Sequence, residues 1–339
     1  MNLVLILEFE LSMDFRTPLA INKSTLDINY QSPILGLGSC FAENIGHRLQ
    51  RYKFSSLLNP FGIIYNPVSI QQCIHRLITG QQYTTEDLIS NQGIFYSFDH
   101  HGQFSDTHST AALKLINQSL QAGSAFLTRA KYLIITLGTA NAFVQRSTGK
   151  VVANCHKFPG QEFEKKRLSP QQIQTALSDS LSHILTINPS IQVIFTVSPV
   201  RHIRDGLIES QRSKASLLLA VEELVKALPF VSYFPAYELM MDDLRDYRFY
   251  EKDMIHPNQM AIDYIWEGFQ RAYFSENTLQ TLAQVKKVVQ ASEHRPFHPT
   301  LPAHQTFLKN QLAQIKQLKN SYPYLDFQEE MALFEQQRV

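Results

Sequence analysis

The chain has 339 residues, with 31 Lys and Arg against 30 Asp and Glu, a formal net charge of +1. That balance excludes an electrostatic case for a nucleic-acid groove or a polybasic membrane patch. A hydrophobic share of 44% against 18% charged residues excludes a disordered chain.

The opening apolar run, Leu3 to Leu7, ends at Glu8 and has no Lys or Arg before it. It is too short for a spanning helix and lacks the charged region of a signal peptide. No later stretch approaches 18 uninterrupted apolar residues, so a soluble, cytoplasmic protein with no membrane partner is expected. Met13 opens a more ordinary domain, leaving 1–14 as an extension. Apolar bursts then alternate with amphipathic stretches, the pattern of α/β layering. The burst at 33–37 reads as a strand covered on both faces. It is followed at once by helical spacing of Phe41, Ile45 and Leu49. A helix is expected over Pro67 to Thr79, carrying Cys73 and His75. Further strands are expected at 132–137, 192–197 and 230–234.

Between the second and third strands, Ser169-Pro-Gln-Gln172 forms an N-cap, a first-turn proline and a capping-box glutamine. Ile173, Leu177, Leu181 and Ile184 share the face that follows. Another helix is expected over about 208–228. The last helix of the sheet region should start at Pro257 and carry Met260, Ile265, Trp266 and Phe269. Beyond about 275, two or three polar amphipathic helices flank the loop His294 to Pro302, with no strand. The expected organisation is a main domain over 15–274 and a helical appendage over 275–339.

Three cysteines, Cys40, Cys73 and Cys155, make neither a disulfide scaffold nor a Cys-x-x-Cys zinc site, and they favour a reducing compartment. Ser39 and Cys40 fall on a tight strand-to-helix turn at the carboxyl end of a strand, the edge where open α/β sheets bind ligands. The positive helix end favours an anion there and should depress a thiol's pKa. The alternative is an N-cap serine beside a small buried cysteine.

Near the end of the region, Asp253-Met-Ile-His-Pro257 can form a base with its orienter. Asp253 would turn back to accept from Nδ1–H of His256, leaving Nε2 free as a base. A surface turn with an Asx cap is the plainer reading. His202 and Arg201, with Arg204, follow the strand at 192–197, where cations could hold a carboxylate, phosphate or sugar acid. A solvated basic loop is the alternative. Adjacent residues on a strand point to opposite faces, which argues against a Cys155–His156 pair. Arg245, Asp246 and Arg248 read as an ion-pair network, and Trp266 as core.

Taken together, a nucleophile on a strand-turn-helix and a later Asp-x-x-His-Pro resemble the SGNH (GDSL-type) hydrolase superfamily. Within it, Gly38-Ser-Cys-Phe-Ala42 resembles the eponymous motif of the GSCFA family. So do Asn59-Pro-Phe-Gly-Ile-Ile-Tyr-Asn-Pro67, Thr136-Leu-Gly-Thr139, Asn154-Cys-His-Lys157, Thr196-Val-Ser-Pro-Val-Arg-His202 and Asp246-Tyr-Arg-Phe-Tyr250. The resemblance runs from about Phe15 to Phe269. It implies a three-layer α/β/α, flavodoxin-like fold with a short parallel sheet.

It also implies an acyl hydrolase or acyltransferase, esterase-like, with an acyl ester or acylated carbohydrate as the small-molecule substrate. Acyl-CoA would be the donor if transfer is the reaction, and neither a metal nor an organic cofactor is implied. Aligning Gly38 and Phe41 to the ends of Gly-Asp-Ser-Leu places Cys40 on the superfamily's nucleophilic serine and Ser39 on its aspartate. Aligning by serine identity would choose Ser39 instead. His256 would be the base and Asp253 its orienter. The superfamily's oxyanion donors would fall on the backbone at Cys40, on Gly62, and on Asn141 in Gly138-Thr-Ala-Asn141, displaced by one position. The altered nucleophile motif and displaced asparagine leave a catalytically weak or inactive binding or scaffold protein as the alternative, its partner surface on the C-terminal helices.

Overall fold

The computed structural model describes residues 16–338; the run Leu3 to Leu7, Met13 and the start of the main domain at 15 lie outside them. The strands are β1 (Ile34–Gly38), β2 (Ser56–Leu58), β3 (Ile89–Asn91), β4 (Ile94–Tyr96), β5 (Tyr132–Leu137), β6 (Asn141–Gln145), β7 (Val151–Val152), β8 (Phe163–Arg167), β9 (Gln192–Val197) and β10 (Val231–Tyr233). The helices of the sheet region are α1 (Cys40–Arg51), α2 (Pro67–Thr79), α3 (Ser109–Leu127), α4 (Pro170–Ile187), α5 (Leu207–Ala227), the one-turn α6 (Ala236–Glu238) and α7 (Gln259–Tyr273). After them come α8 (Glu276–Glu293), α9 (Pro302–Ser321) and α10 (Gln328–Gln336).

Five strands form one parallel sheet in the order β2-β1-β5-β9-β10. The order reverses between β1 and β5, which makes the carboxyl ends of those two strands the crevice of a doubly wound sheet. Side chains alternate across the pleat. Leu35, Leu37, Leu133, Ile135, Val193 and Phe195 enter one apolar body with α2, α3, α4 and α5. Ile34, Tyr132, Ile134 and Ile194 enter another with α1 and α7. The result is a three-layer α/β/α arrangement with a C-terminal helical region.

That helical region is built into the second apolar body. Leu282, Val285, Leu308, Ile315, Leu318 and Phe334 pack in the same cluster as Phe41 and Leu49 of α1 and Trp266 and Phe269 of α7. Arg51 meets Glu293, and Lys53 meets Glu330 at 2.7 Å with both side chains largely out of water. The capping box at Ser169 and Gln172 forms in both directions, and Ile173, Leu177, Leu181 and Ile184 are fully buried behind it.

Two local expectations change. Helix α7 does not start at Pro257: Asn258 is its N-cap, accepting from the N–H of Ala261, and Pro257 pairs instead with Tyr250 in a β-bridge. Cys155 and His156 lie in a loop rather than on a strand. His156 adopts a left-handed backbone with its Nε2 2.7 Å from the Ser97 carbonyl, and no hydrogen bond among the described residues joins it to a thiol. Among the described residues, no helix is long and apolar enough to cross a membrane.

Candidate functional site

Strand β1 ends against its neighbour so tightly that only glycine fits at position 38. Its φ is +138°, and a Cβ there would lie 2.2 Å from the Thr136 carbonyl oxygen. The N–H of Gly38 donates to Asn59 Oδ1 (2.9 Å), and that of Ser39 to the Thr136 carbonyl (3.1 Å). The chain then turns directly into α1. Ser39 occupies the N-cap without capping: its hydroxyl is buried and has no hydrogen-bond partner among the described residues. Cys40, the first helical residue, is only partly buried. Of the two candidate attackers, the thiol is the more accessible.

The thiol's electrostatics differ from the expectation. The N–H groups of Cys40 and Phe41 both reach Sγ, and Lys214 acts in the same direction. Burial outweighs them, Glu43 on the next turn adds to it, and the net pKa is raised. The positive helix end is present, but water exclusion and a neighbouring carboxylate keep the thiol protonated. A base is therefore needed to generate the thiolate.

Such a base is assembled in the loop before α7. Asp253 Oδ1 accepts from the N–H groups of Ile255 (2.9 Å) and His256 (3.0 Å), while Oδ2 lies 2.6 Å from His256 Nδ1. These bonds, led by that from the His256 backbone, pull the Asp253 carboxyl down to about 2. Met254 takes a left-handed backbone at the tip, and the N–H of Glu251 donates to the His256 carbonyl at 2.7 Å. The loop thus holds an Asp–His unit with the imidazole about half exposed. No hydrogen bond among the described residues joins His256 Nε2 to Ser39 or Cys40.

His202, from the loop after β9, lies within electrostatic range of His256 and of Lys214. Burial, reinforced by Lys214, pulls its imidazole down to about 4. It is therefore neutral at physiological pH, which corrects its expected role as a cation for an anionic substrate. Arg201 directs its N–H groups to the Gln211 side chain and, at 3.3 Å, to Met241 Sδ.

The backbone expected to receive an oxyanion is also engaged. The N–H of Gly62 donates to the Asn59 carbonyl (2.7 Å), and that of Gly138 to the Tyr65 carbonyl (2.8 Å). Asn141 is the first residue of β6, and its Nδ2 donates to Asp205 at 2.7 Å. The N–H groups of Gly62 and Gly138 are thus taken, and one of the two Nδ2 protons of Asn141 goes to Asp205. The N–H groups of Cys40 and Phe41 stay turned toward the attacking atom.

Two residues at this edge escaped the sequence reading. Lys214 of α5 is fully buried, and its Nζ donates to the carbonyls of Gly138 (2.5 Å) and Ser198 (2.6 Å), tying the ends of β5 and β9 together. Burial, then Arg201, pulls its pKa down to about 7 while Cys40 opposes them. Its signal was available: Lys214 falls in the apolar register of Ser210, Leu217, Val221 and Leu224. The second, Tyr65, packs on Gly138, where a Cβ would come within 3.0 Å of its ring. Its hydroxyl is raised in pKa by burial and then by Cys40 and Glu43. Its ring meets that of His202 edge-on, with centroids 5.3 Å apart.

Among the described residues no three His, Cys, Asp or Glu side chains gather as a metal site. A search of curated proteins finds no match. Residues 285–338 match the family described as GSCFA domain protein, C-terminal domain. Residues 33–269, which include every element of the edge just described, match the GSCFA family, and the chain belongs to that family.

Proposed function

We propose that the protein handles acyl groups by nucleophilic catalysis in the manner of the SGNH hydrolases. It would act as an esterase or acyltransferase on an O- or N-acyl group, with an acylated sugar as one substrate class. Cys40 is the nucleophile, His256 the base and Asp253 the residue that fixes the imidazole tautomer. The observation that carries this reading is the 2.6 Å contact between Asp253 and His256 Nδ1, which leaves Nε2 as the basic atom.

In the first step His256 Nε2 takes the thiol proton. Sγ bonds to the acyl carbon, and the carbonyl electron pair moves onto oxygen. Collapse of that intermediate breaks the bond to the leaving group, which receives the proton from His256 and departs, leaving a thioester on Cys40. Water or an acceptor hydroxyl then gives up its proton to His256 and attacks the thioester, regenerating the thiol. The N–H groups of Cys40 and Phe41 support the oxyanion from the helix end. Ser39 is the weaker candidate because its hydroxyl is buried.

A second reading, a catalytically weak or inactive binding or scaffold protein, draws support from the prior engagement of Gly62, Gly138 and Asn141. One experiment separates the two: an activated ester probe followed by mass spectrometry on wild type, Cys40→Ala, Ser39→Ala and His256→Ala. Acyl-enzyme catalysis requires label on Cys40, with His256→Ala slowing it by roughly 10²-fold or more. Label indifferent to His256, or on neither Cys40 nor Ser39, leaves the binding-protein reading, and His256-dependent label on Ser39 makes Ser39 the attacking residue.

A further inference from the structure

We infer that Tyr65 is a catalytic residue whose hydroxyl donates a hydrogen bond to the acyl oxygen as negative charge develops there. The inference rests on the nucleophilic role of Cys40 and goes beyond it by naming the missing donor. It starts from what the sheet edge has left to offer. Gly62, Gly138 and Thr139 direct their N–H groups to the carbonyls of Asn59 and Tyr65. Ala140 donates to Ser213 Oγ at 2.7 Å, and Asn141 donates to Asp205. Acyl transfer needs donors aimed at the oxygen in addition to those at the helix end.

Tyr65 straddles the crevice. Its carbonyl accepts from Gly138 and Thr139 at the end of β5. Its phenol meanwhile lies within electrostatic range of Cys40 and Glu43 at the end of β1. Gly138 permits this, since a side chain there would collide with Tyr65 backbone and ring. His202 braces the ring edge-on. Among the described residues the hydroxyl has no hydrogen-bond partner, so it is available to a substrate. Burial and the two acidic neighbours also raise its pKa, which keeps it a donor at physiological pH.

During attack the phenolic proton stays on oxygen. The carbonyl electron pair shifts onto the acyl oxygen, which the Tyr65 O–H and the N–H groups of Cys40 and Phe41 then surround. Collapse returns the pair to the carbonyl and releases the hydrogen bond.

Tyr65→Phe removes only the hydroxyl and leaves the ring packed against Gly138 and His202. The test measures nitrophenolate release from p-nitrophenyl acetate together with alkylation of Cys40 by iodoacetamide, which develops no oxyanion. The expected result is a roughly 10²–10³-fold fall in ester turnover with KM little changed, while alkylation stays within about twofold of wild type. Ester turnover at the wild-type rate overturns the proposal. A parallel fall in both reactions also overturns it, because Tyr65 would then act on the thiol. If wild type does not acylate at Cys40, or Cys40→Ala acylates equally well, the nucleophile assignment itself fails, and this inference with it.

Discussion

Cys40 is held between opposing influences one helical turn apart. Two backbone N–H groups and Lys214 favour the thiolate, whereas burial and the Glu43 carboxylate favour the thiol and prevail. Removing the carboxylate should shift the balance. Glu43→Gln is expected to lower the thiol pKa and to speed iodoacetamide alkylation at neutral pH severalfold, read as the midpoint of a rate-versus-pH curve. An unchanged midpoint would mean that burial alone sets it. At this scale the sequence was only partly informative. The Asp253–His256 unit was legible because a three-residue spacing in a loop lets a carboxylate turn back onto both backbone and ring. The thiol's electrostatics were not, because Cys40, Glu43, Tyr65 and Lys214 come from two helices and a loop whose approach only the fold determines. The basic residues 201 and 202 looked alike in the sequence. Burial neutralises the histidine, while the arginine reaches out to Gln211 and Met241.

Elements set the site through close backbone approach. At Gly38 strand β1 turns with a positive φ against the Thr136 backbone, a conformation and a gap closed to any side chain. Gly38→Ala should lower stability by more than the roughly 1 kcal/mol of an ordinary glycine substitution and displace Cys40 from its turn. Thermal melting and probe labelling of Cys40 would show both losses; a variant that melts and labels like wild type would rule out this account. The long elements were readable in advance. Strands β5 and β9 are continuous apolar runs, and the helix after Ser169 announces itself by its cap and its stripe. The short ones were not. Strand β2 is three residues, and β8, Phe-Glu-Lys-Lys-Arg, carries mostly exposed charge. It is a strand only because β6 lies beside it, with Asn141 opposite Arg167. That pairing also moves Asn141 from a loop into a strand, where its amide meets Asp205.

Across the whole molecule, charge buried at the seam with the C-terminal helices contributes to stability. Lys53→Met would leave the Glu330 carboxylate buried without its cation, at a cost of about 3 kcal/mol in denaturant unfolding. A change under about 0.5 kcal/mol would mean that water reaches the pair. Acid acts elsewhere. His100 is buried among Phe61, Tyr83 and Phe104 and pulled down to about 3 by burial and by His156; His202 is pulled down to about 4. The unfolded chain binds protons at these residues near pH 6.5, whereas the folded chain does not until about 4 or 3. Stability is therefore fully present above about pH 6.5 and declines as pH falls below it. His100→Phe should flatten that decline between pH 7 and 5, followed through the urea midpoint; an equally steep decline would exclude His100 as its source.

The central sheet separates two apolar bodies that, among the described residues, share only the one-turn α6, and α1 belongs to the one that also contains α8, α9 and α10. Transient opening should respect that division. In deuterium uptake, the amides of α1 are expected to exchange in step with those of the three terminal helices and apart from those of α3, α4 and α5. Loosening the far end of the chain would then reach Cys40 through the helix that carries it, some 240 residues earlier in the sequence than α8.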